Sequence, residues 1–298
     1  MDVSVIIINY NTFALTCKCI ASIYRFTTEI EFEIILVDNC SVECDAELFR
    51  KQFPDIKLIK NTNNEGFAKG NNTGIKAASG KTILLLNSDT ELVEDSISTC
   101  YKKLEERKDD IAVITCKLIY PDGRVQKQCN RFPSTGLNLL ELLRIHKLFP
   151  EKKRARKFLG YYFDQESDII PDWFWGTFFM FKKDILGKLN GGKLNEDYFM
   201  YCEDMRWCYD FKMLGKNCYY YSQAKVIHHL SQSVKSISYK NETTVNNKLD
   251  FVAKTKGRAY MRLYGILTAL NILFSSFNVR RNYGTSKLYI KSVFGGNV

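Results

Sequence analysis

The stretch Val3–Asn9 reads VSVIIIN, a continuous run of mostly β-branched apolar residues. A run without polar alternation is typical of a parallel strand that is buried on both faces. Four further strand patterns lie at 32–37, 57–59, 82–86 and 111–115, and helical patterns at 13–24, 67–78 and 95–107 alternate with them. This alternation predicts right-handed βαβ units, hence a Rossmann-like α/β fold whose central sheet is mostly parallel and flanked by helices.

Polar residues stand where several of these strands end, and they are Asn9, Asn11, Asp38, Asn39, Asn87 and Asp89. Open α/β sheets bind their ligands beyond the carboxyl ends of the strands. The sequence therefore predicts a ligand site at this edge of the sheet.

Composition narrows the class of protein. The chain has 298 residues, 45% of them hydrophobic, which suits one large domain or one domain with a small appendage. Its net charge of +10 favours anionic partners, namely nucleotides, nucleic acid or acidic lipid. The ten cysteines show no repeated C-x-x-C spacing, which indicates reduced structural thiols and a cytoplasmic protein.

Neither a signal peptide nor a membrane span is expected. Met1 is followed by Asp2 and a β-like run rather than by a basic region. The longest apolar run, 266–277, is shorter than the ~18 residues that a span requires. The cations around this run nevertheless allow a helix that lies on an anionic lipid surface. A terminal helix pair that packs on the domain or in a homodimer is the alternative.

The second half of the chain loses the regular alternation. Residues 133–170 form a basic stretch, which we expect to be an irregular insertion over the sheet. An aromatic stretch, DWFWGTFFMF, follows at 172–181. Strand-like runs at 217–221 and 225–227 precede His228-His229.

In the first half, two strand ends and one polar loop contain residue types that suit a chemical role. The carboxylate of Asn87-Ser88-Asp89 can hold a hard divalent cation and leave positions for diphosphate oxygens, although a helix-capping aspartate fits too. Asp38 can read the imide edge of uracil or thymine, or it can simply form a turn. In the polar segment 63–72, Lys69 can face phosphate, and a plain strand–helix loop is the alternative.

Two more groups lie in the second half. Glu203-Asp204 can supply a general base, or it can be a solvated helix start. His228 and His229 are two of three histidines, and a neutral imidazole after a strand can be a metal ligand or a structural residue.

A dinucleotide dehydrogenase is rejected because residues 9–12 lack its glycines.

Taken in order, the motifs NYN, VDN, NEGFAKGNN, LLLNSDT, FMYCED and VIHH resemble glycosyltransferase family 2, and most of all its rhamnosyltransferase-like branch. The resemblance covers about residues 3–230. It implies a GT-A fold with a nucleotide-sugar-binding half, 1–116, an acceptor-binding half, 117–235, and a C-terminal helical extension, 236–298.

The resemblance also implies roles for individual residues. Asp89 would bind Mg²⁺ or Mn²⁺ at the family's D-x-D position, with His228 as a further ligand, and Asp204 would be the catalytic base. The implied nucleotide-sugar contacts are Tyr10, Asn11, Asp38, Asn39, Phe67, Lys69, Asn71, Asn87, Ser88 and Asp89. Glu203, the acidic neighbour in the E-D motif, is an expected acceptor contact. Apart from the resemblance, Trp173 and Trp175 could form an acceptor platform, because sugars present apolar C–H faces to aromatic rings, and ordinary core packing is the alternative. After the E-D motif, Arg206-Trp207 depart from the family pattern.

The activity that the resemblance implies is inverting, metal-dependent sugar transfer from a nucleotide diphosphate to a glycan or lipid-linked glycan in cell-surface polysaccharide synthesis. The first donor candidate is dTDP-L-rhamnose. UDP-galactofuranose, UDP-galactose, UDP-glucose and UDP-N-acetylhexosamines are alternatives, as is a non-catalytic relative that binds nucleotide sugars. A nucleic-acid partner is not expected, because the basic residues are scattered and no binding motif is present.

Overall fold

A computed structural model describes residues 1–230, 237–274 and 279–295. Its described strands form one eight-stranded sheet in the order β3-β2-β1-β4-β7-β6-β8-β5. The strands are β1 Val3–Asn9, β2 Phe32–Asp38, β3 Lys57–Lys60, β4 Thr82–Asn87, β5 Thr90–Leu92, β6 Ile111–Ile119, β7 Phe178–Lys182 and β8 Asn217–His228. The α-helices are α1 Phe13–Phe26, α2 Glu47–Gln52, α3 Gly66–Ala77, α4 Ser96–Glu106, α5 Thr135–Leu142, α6 Glu151–Phe158, α7 Glu203–Met213, α8 Ile237–Lys256, α9 Arg258–Phe274 and α10 Val279–Phe294.

The predicted α/β fold with a mostly parallel sheet is confirmed. Strands β3, β2, β1 and β4 are parallel neighbours, and β6 is parallel to β8. Strand β7 runs antiparallel to both β4 and β6, and β5 runs antiparallel to β8. The first four strands thus build one side of the sheet, and β5 and β6 join β7 and β8 on the other side.

Apolar side chains cover both faces of the sheet, as the unbroken apolar strands require. Val5 and Ile7 of β1 belong to a buried cluster with Ile20 of α1. Ile6, between them, faces α3, where a Cβ at Gly74 would touch it. Each face therefore buries alternate residues of the same strand.

Strand β7 was not predicted, although it lies in the middle of the sheet. Phe178, Phe179, Met180 and Phe181 are all fully buried. A central strand covered on both faces shows no period-two pattern, so an aromatic run of this kind does not reveal its conformation. The predicted strands 217–221 and 225–227 are one strand, β8, and a shift in its register with β6 accounts for the break in pattern.

The described residues group into two compact units. The first comprises residues 1–130 and 164–230 and contains the whole sheet. The second comprises 131–163, 237–274 and 279–295. The expectation of an irregular insertion at 133–170 is wrong, because helices α5 and α6 lie within this stretch. Ser134 caps α5, since its Oγ accepts a hydrogen bond from the amide of Leu137 at 3.3 Å.

Within the second unit, α9 and α10 pack closely at Gly265, where any Cβ would clash with Val293. The predicted surface helix at 266–277 runs beyond the described residues at its end, since 275–277 lie outside them. No helix among the described residues is both long and apolar enough to span a membrane. The predicted boundaries near residues 116 and 235 stay predictions.

Candidate active site

The site lies in the first unit, where strand pairing brings the predicted polar residues to one edge. Asn9 is the register partner of Asp38, and Ile8 is that of Asn87. The ends of β2, β1 and β4 therefore lie side by side, and each carries a polar side chain. This arrangement follows from the parallel register of three consecutive buried strands.

Asp38 is buried, and its carboxylate is held in place from two sides. Asn9 Nδ2 donates to its Oδ1 at 2.8 Å, and the amide of Ser41 donates to its Oδ2 at 3.1 Å. A carboxylate has about four lone-pair positions, so each oxygen can accept a further hydrogen bond. The side chain is thus oriented and still able to accept an N–H from a nucleotide base.

Tyr10 and Asn11 follow β1 as a short connection to α1. Asn11 adopts a left-handed backbone conformation, with φ of 54°, which asparagine tolerates better than most residues. Its Oδ1 accepts from the amide of Val42 at 2.8 Å, and its own amide donates to Ser41 Oγ at 3.0 Å. The connections that follow β1 and β2 therefore support each other beneath the strand ends.

Asn39 has a different role from the nucleotide contact predicted for it. Its Nδ2 donates to Asn64 Oδ1 and to the carbonyl of Gly66, while its Oδ1 accepts from Asn61 Nδ2 and from the amide of Glu65. These four bonds use its entire hydrogen-bonding capacity. Asn39 therefore fixes the loop that leads into α3 rather than facing a ligand.

The predicted site residues of the segment 63–72 that lie on α3 differ in their exposure to solvent. Lys69 is exposed, whereas Asn71 is buried and donates from Nδ2 to the carbonyl of Phe67 at 2.9 Å. Phe67 stacks on the buried Trp207, with ring centroids 6.1 Å apart. Of these predicted contacts, only Lys69 is both charged and exposed. The hydrogen bond from Asn71 is made within the helix itself.

Asp89 pairs with His228 across strands β5 and β8. The distance from His228 Nε2 to Asp89 Oδ1 is 3.4 Å, and both side chains are largely buried. The neighbouring His229 instead approaches Glu91, at 3.4 Å. Of the two histidines, His228 is therefore the one that lies against Asp89, and its role as the metal ligand stays a prediction.

Gln126 fixes the tautomer of His228. Gln126 Nε2 donates to the backbone carbonyl of His228 at 2.8 Å, so its Oε1 must accept from His228 Nδ1, also at 2.8 Å. Nδ1 therefore carries a proton, and Nε2, which lies 3.4 Å from Asp89 Oδ1, is the ring nitrogen that can offer a lone pair to a metal. Metal-binding histidines usually have this arrangement, in which the second ring nitrogen is hydrogen-bonded.

These residues fit a divalent cation. A carboxylate oxygen and an imidazole lone pair converge at Asp89 and His228, and the buried Oδ1 of Asn87 has no hydrogen-bond partner. Among the residues that the structure describes, no group of three His, Cys, Asp or Glu side chains could hold a metal. A cation here would therefore complete its coordination with diphosphate and water oxygens. Ser88 lies beside them, with its Oγ 3.2 Å from Thr12 Oγ1.

Asp204 lies in the first turn of α7, after two residues in left-handed conformation. Tyr201 and Cys202 have φ values of 69° and 73°. Non-glycine residues in this region cost about 1 kcal/mol each, and such strain is concentrated at functional sites. Asp204 Oδ2 accepts from the amide of Gly176 at 3.0 Å, and its Oδ1 accepts from the amide of Met205 at 2.7 Å.

Glu203, beside it, is buried, and its Oε2 has no hydrogen-bond partner. Burial, reinforced by the negative charge of Asp204, raises the pKa of Glu203 well above its ordinary value. Burial therefore favours the protonated form of Glu203. It lies behind the site rather than in contact with solvent.

The two tryptophans predicted to contact acceptor are both half-buried. Trp175 packs against the main hydrophobic cluster, and the backbone of Trp173 pairs with Asn130. Their contact with an acceptor stays a prediction. Gly176 and Thr177, which follow them, bond to two of the predicted site residues, Asp204 and Asn87, and the sequence did not reveal these contacts.

Gly176 and Thr177 connect the two halves of the site. The amide of Asn87 donates to the carbonyl of Thr177 at 3.0 Å, and the amide of Gly176 donates to Asp204 Oδ2. The end of β4, which leads to Asp89, and the start of α7 are therefore bonded to adjacent residues of one segment. A Cβ at Gly176 would touch Asp204 and Phe67, so the approach is close.

Two relatives match part of the chain. Glycosyltransferase GlyG of Streptococcus pneumoniae serotype 4 is 32% identical over 116 residues, which are 37% of this chain and 38% of GlyG. Poly(ribitol-phosphate) beta-glucosyltransferase of Bacillus spizizenii is 27% identical over 157 residues, which are 51% of this chain and 25% of that protein. The matches thus span well under half the length of either relative.

A solved structure matches nearly the whole fold. The mannosyltransferase PcManGT from Pyrobaculum calidifontis, in complex with GDP-Man and Mn²⁺, superposes with a TM-score of 0.60 over 99% of this chain and 87% of that one, at 14% identity. The likeness at this identity shows the fold. Together with the sheet topology, it confirms the predicted GT-A fold.

The fold and the matching family model place the chain in a family of glycosyltransferases. The chain belongs to glycosyl transferase family 2, whose sequence model matches residues 4–189.

Proposed function

We propose that this protein transfers a sugar from a nucleotide diphosphate to a glycan hydroxyl with inversion at the anomeric carbon, and that it requires a divalent metal. The observation that carries the proposal is the bonding of Asn87 and Asp204 to adjacent residues, Thr177 and Gly176. A group that stabilises the leaving diphosphate and a group that activates the acceptor must face one cleft. Asp89 and Asp204 have the chemistry for these two tasks.

Asp89 and His228 Nε2 would hold Mg²⁺ or Mn²⁺ in this proposal. When bound, the metal offsets the negative charge that develops on the diphosphate as the glycosidic bond breaks. Lys69, exposed on α3, adds a positive charge that the donor can reach. Asp38 accepts an N–H of the base, and Tyr10, Asn11 and Ser88 line the nucleotide-binding edge.

Asp204 acts as the general base. The acceptor hydroxyl is a poor nucleophile until its proton is removed, and an Asp204 carboxylate oxygen takes that proton as the hydroxyl attacks. Attack from the face opposite the leaving group inverts the anomeric configuration in a single displacement. The amides of Gly176 and Met205 orient the carboxylate for this transfer.

Glu203 supports the base without sharing its charge. A second negative charge beside Asp204 would change the pKa of the base and the electrostatic potential that an approaching acceptor meets. Burial raises the pKa of Glu203, which favours the uncharged form of this neighbour. Glu203 is thus a positioning residue at the start of α7.

For the donor we retain dTDP-L-rhamnose as the first candidate, on the motif resemblance. A UDP-hexose is the second candidate, and the name of the Bacillus spizizenii relative, a beta-glucosyltransferase, favours it. Asp38 suits both, because thymine and uracil present the same imide edge. We propose an acceptor in cell-surface polysaccharide synthesis and a cytoplasmic location, since none of the ten cysteines forms a disulfide.

The test is release of nucleoside diphosphate from a panel of donors, with Mn²⁺ and after chelation by EDTA. The panel contains dTDP-L-rhamnose, UDP-glucose, UDP-galactose, UDP-N-acetylglucosamine and GDP-mannose. Metal-dependent release from one nucleotide class supports the proposal. Tight donor binding in calorimetry without any release, by hydrolysis or to acceptor, would identify a non-catalytic relative instead.

A further inference from the structure

Charge is distributed very unevenly between the two units. The second unit, residues 131–163 and 234–298, contains 19 basic and 4 acidic residues, a net charge of +15. The remainder of the chain contains 24 basic and 29 acidic residues, a net charge of −5. The basic character of the protein therefore comes entirely from its helical unit.

One part of this unit concentrates the charge on a short surface. We call residues 147–161 the basic segment; it contains α6, whose sequence is EKKRARKF. Its exposed cations are Lys147, Lys152, Lys153, Arg156 and Lys157. Glu151, at the start of α6, is the one acidic residue of the segment. So many exposed cations in a short segment favour contact with an anionic partner or with solvent.

The same segment exposes apolar side chains. Leu148 is 82% exposed and Tyr161 is 83% exposed. They flank α6 on either side, so four of the five exposed cations lie between two apolar groups along the chain. Isolated exposed apolar residues need no explanation, but here two almost fully exposed ones share a short segment with five exposed cations.

An aromatic cluster holds the basic segment in this conformation. Phe158 is buried and lies 5.5 Å from Tyr162, 6.1 Å from His146 and 6.2 Å from Phe149, measured between ring centroids. Leu148 and Tyr161 are direct neighbours of cluster residues in sequence. The ring of Tyr161 lies edge-on to that of Tyr162, with centroids 6.0 Å apart, and Tyr161 is nevertheless almost fully exposed, as is Leu148. The segment can therefore present both side chains without rearrangement of its packing.

We infer that the basic segment binds an anionic phospholipid surface. Its cations would face the lipid phosphates, while Leu148 and Tyr161 enter the boundary between headgroups and acyl chains, as the apolar residues of interfacial helices do. A soluble polyanion would be bound by the cations alone and would give no reason for the two exposed apolar residues. This inference goes beyond the proposed transfer reaction, because membrane binding needs no turnover.

The test is co-sedimentation of the full-length protein with vesicles of phosphatidylcholine alone and of equal parts phosphatidylcholine and phosphatidylglycerol. We expect binding to the anionic vesicles that weakens as salt is added. Lys152→Gln with Lys153→Gln, and separately Leu148→Ser with Tyr161→Ser, should each weaken binding about tenfold. Exposure of all four side chains makes loss of folding unexpected, and thermal unfolding checks it.

Two exposed residues of the first unit provide matched controls. Lys188→Gln removes a charge and Met213→Ser removes an apolar side chain, and both should leave vesicle binding unchanged. Equal binding to neutral and anionic vesicles would overturn the inference. So would unchanged vesicle binding in the Leu148→Ser, Tyr161→Ser variant, which would point to a soluble polyanion. The inference would also be overturned if the substitutions in the basic segment left vesicle binding unchanged but altered self-association in ultracentrifugation. That result would point to a second copy of the chain as the partner.

Discussion

The amide of Gly176 donates a 3.0 Å hydrogen bond to Oδ2 of Asp204. This bond joins the loop before β7 to the start of α7, although the two residues are 28 positions apart. Thr177 extends the connection to the end of β4. The carboxylate proposed as the base is thus anchored to the same segment as the strand that leads to Asp89.

Replacement of Asp204 by asparagine tests the general base. Asparagine keeps the shape and an oxygen that accepts from Gly176 or Met205, but it cannot take a proton. We expect turnover to fall by roughly two to four orders of magnitude, the usual contribution of a general base, with donor KM little changed. Steady-state kinetics measure both quantities.

Asp210→Asn is the matched control on the same helix. Asp210 is paired with Arg206, with 2.9 Å between Nε and Oδ1, and it has no proposed catalytic role. Its replacement should change turnover only slightly. Comparable losses in both variants would indicate damage to α7 rather than loss of a base.

Asp89→Ala tests the metal site by binding rather than by activity. We expect the affinity for Mn²⁺, measured by electron paramagnetic resonance in the presence of a nucleoside diphosphate, to fall by at least about tenfold, as expected for loss of a charged ligand. Glu91→Ala, two residues further on and within β5, is the control. Mn²⁺ affinity that is unchanged in Asp89→Ala would remove this residue from the metal site.

Gln126→Leu tests the tautomer of His228. Without the Oε1 acceptor, Nδ1 loses its partner and the proton can move to Nε2, where it blocks a metal ligand. We expect Mn²⁺ affinity to fall by about 10-fold to 100-fold, the usual effect of losing such a partner.

Gln128→Leu is the control for Gln126, because Gln128 is equally buried and donates to the carbonyl of Cys116 without touching a histidine. It should cost stability and leave metal affinity intact. Equal Mn²⁺ affinity in both variants would contradict the positioning role of Gln126.

Gln126 illustrates why the sequence shows only part of the site. Asp38, Asn87 and Asp89 could be predicted together, because each follows a buried strand and parallel strands end at one edge. Gln126 reaches His228 only because the turn at Pro121-Asp122-Gly123 folds the chain back on β6, where the amide of Gln126 donates to the carbonyl of Leu118 at 2.8 Å. That pairing depends on register between distant segments, which local pattern does not encode.

The fold shows the same division. The strands from β1 to β4 could be predicted within one residue, because the apolar runs are bounded by polar residues and separated by helices. Strand β7 could not, since its aromatic run fits a buried helix as well. Strand β5 has three residues and belongs to the sheet only because it pairs with β8. Asn39 was misassigned because a polar residue at a strand end can serve a loop as well as a ligand.

Glu203→Gln tests the protonation of the buried acid through stability. The pKa of Glu203 is raised in the folded chain, so the folded state keeps a proton that the unfolded state releases above about pH 4.5. The free energy of unfolding should therefore fall as pH rises from 4.5 toward neutrality, by up to about 1.4 kcal/mol per pH unit from this residue. Glutamine does not titrate, so the variant lacks this contribution.

Urea unfolding of wild type and Glu203→Gln across this range measures the difference. The stability of the variant relative to wild type should rise with pH. Parallel curves would show that Glu203 titrates normally.

Gly66→Ala tests the start of α3, which Asn39 holds. Gly66 has φ of +81°, and a Cβ there would clash with the carbonyl oxygen of Phe199. Gly123 has a similar φ of +86° with no atom within 4 Å of the added Cβ, so Gly123→Ala isolates the backbone cost of about 1 kcal/mol. We expect Gly66→Ala to lower the free energy of unfolding by clearly more than this. Equal losses in urea unfolding would mean that the contact with Phe199 is not tight.

The most direct measurement is a crystal structure of the protein with Mn²⁺ and the nucleoside diphosphate of its donor. We predict Mn²⁺ bound by Asp89 and His228 Nε2 and by diphosphate oxygens, with the Asp204 carboxylate facing the same cavity. A metal held by other residues, or an Asp204 carboxylate that opens onto a different surface from the diphosphate, would contradict the mechanism.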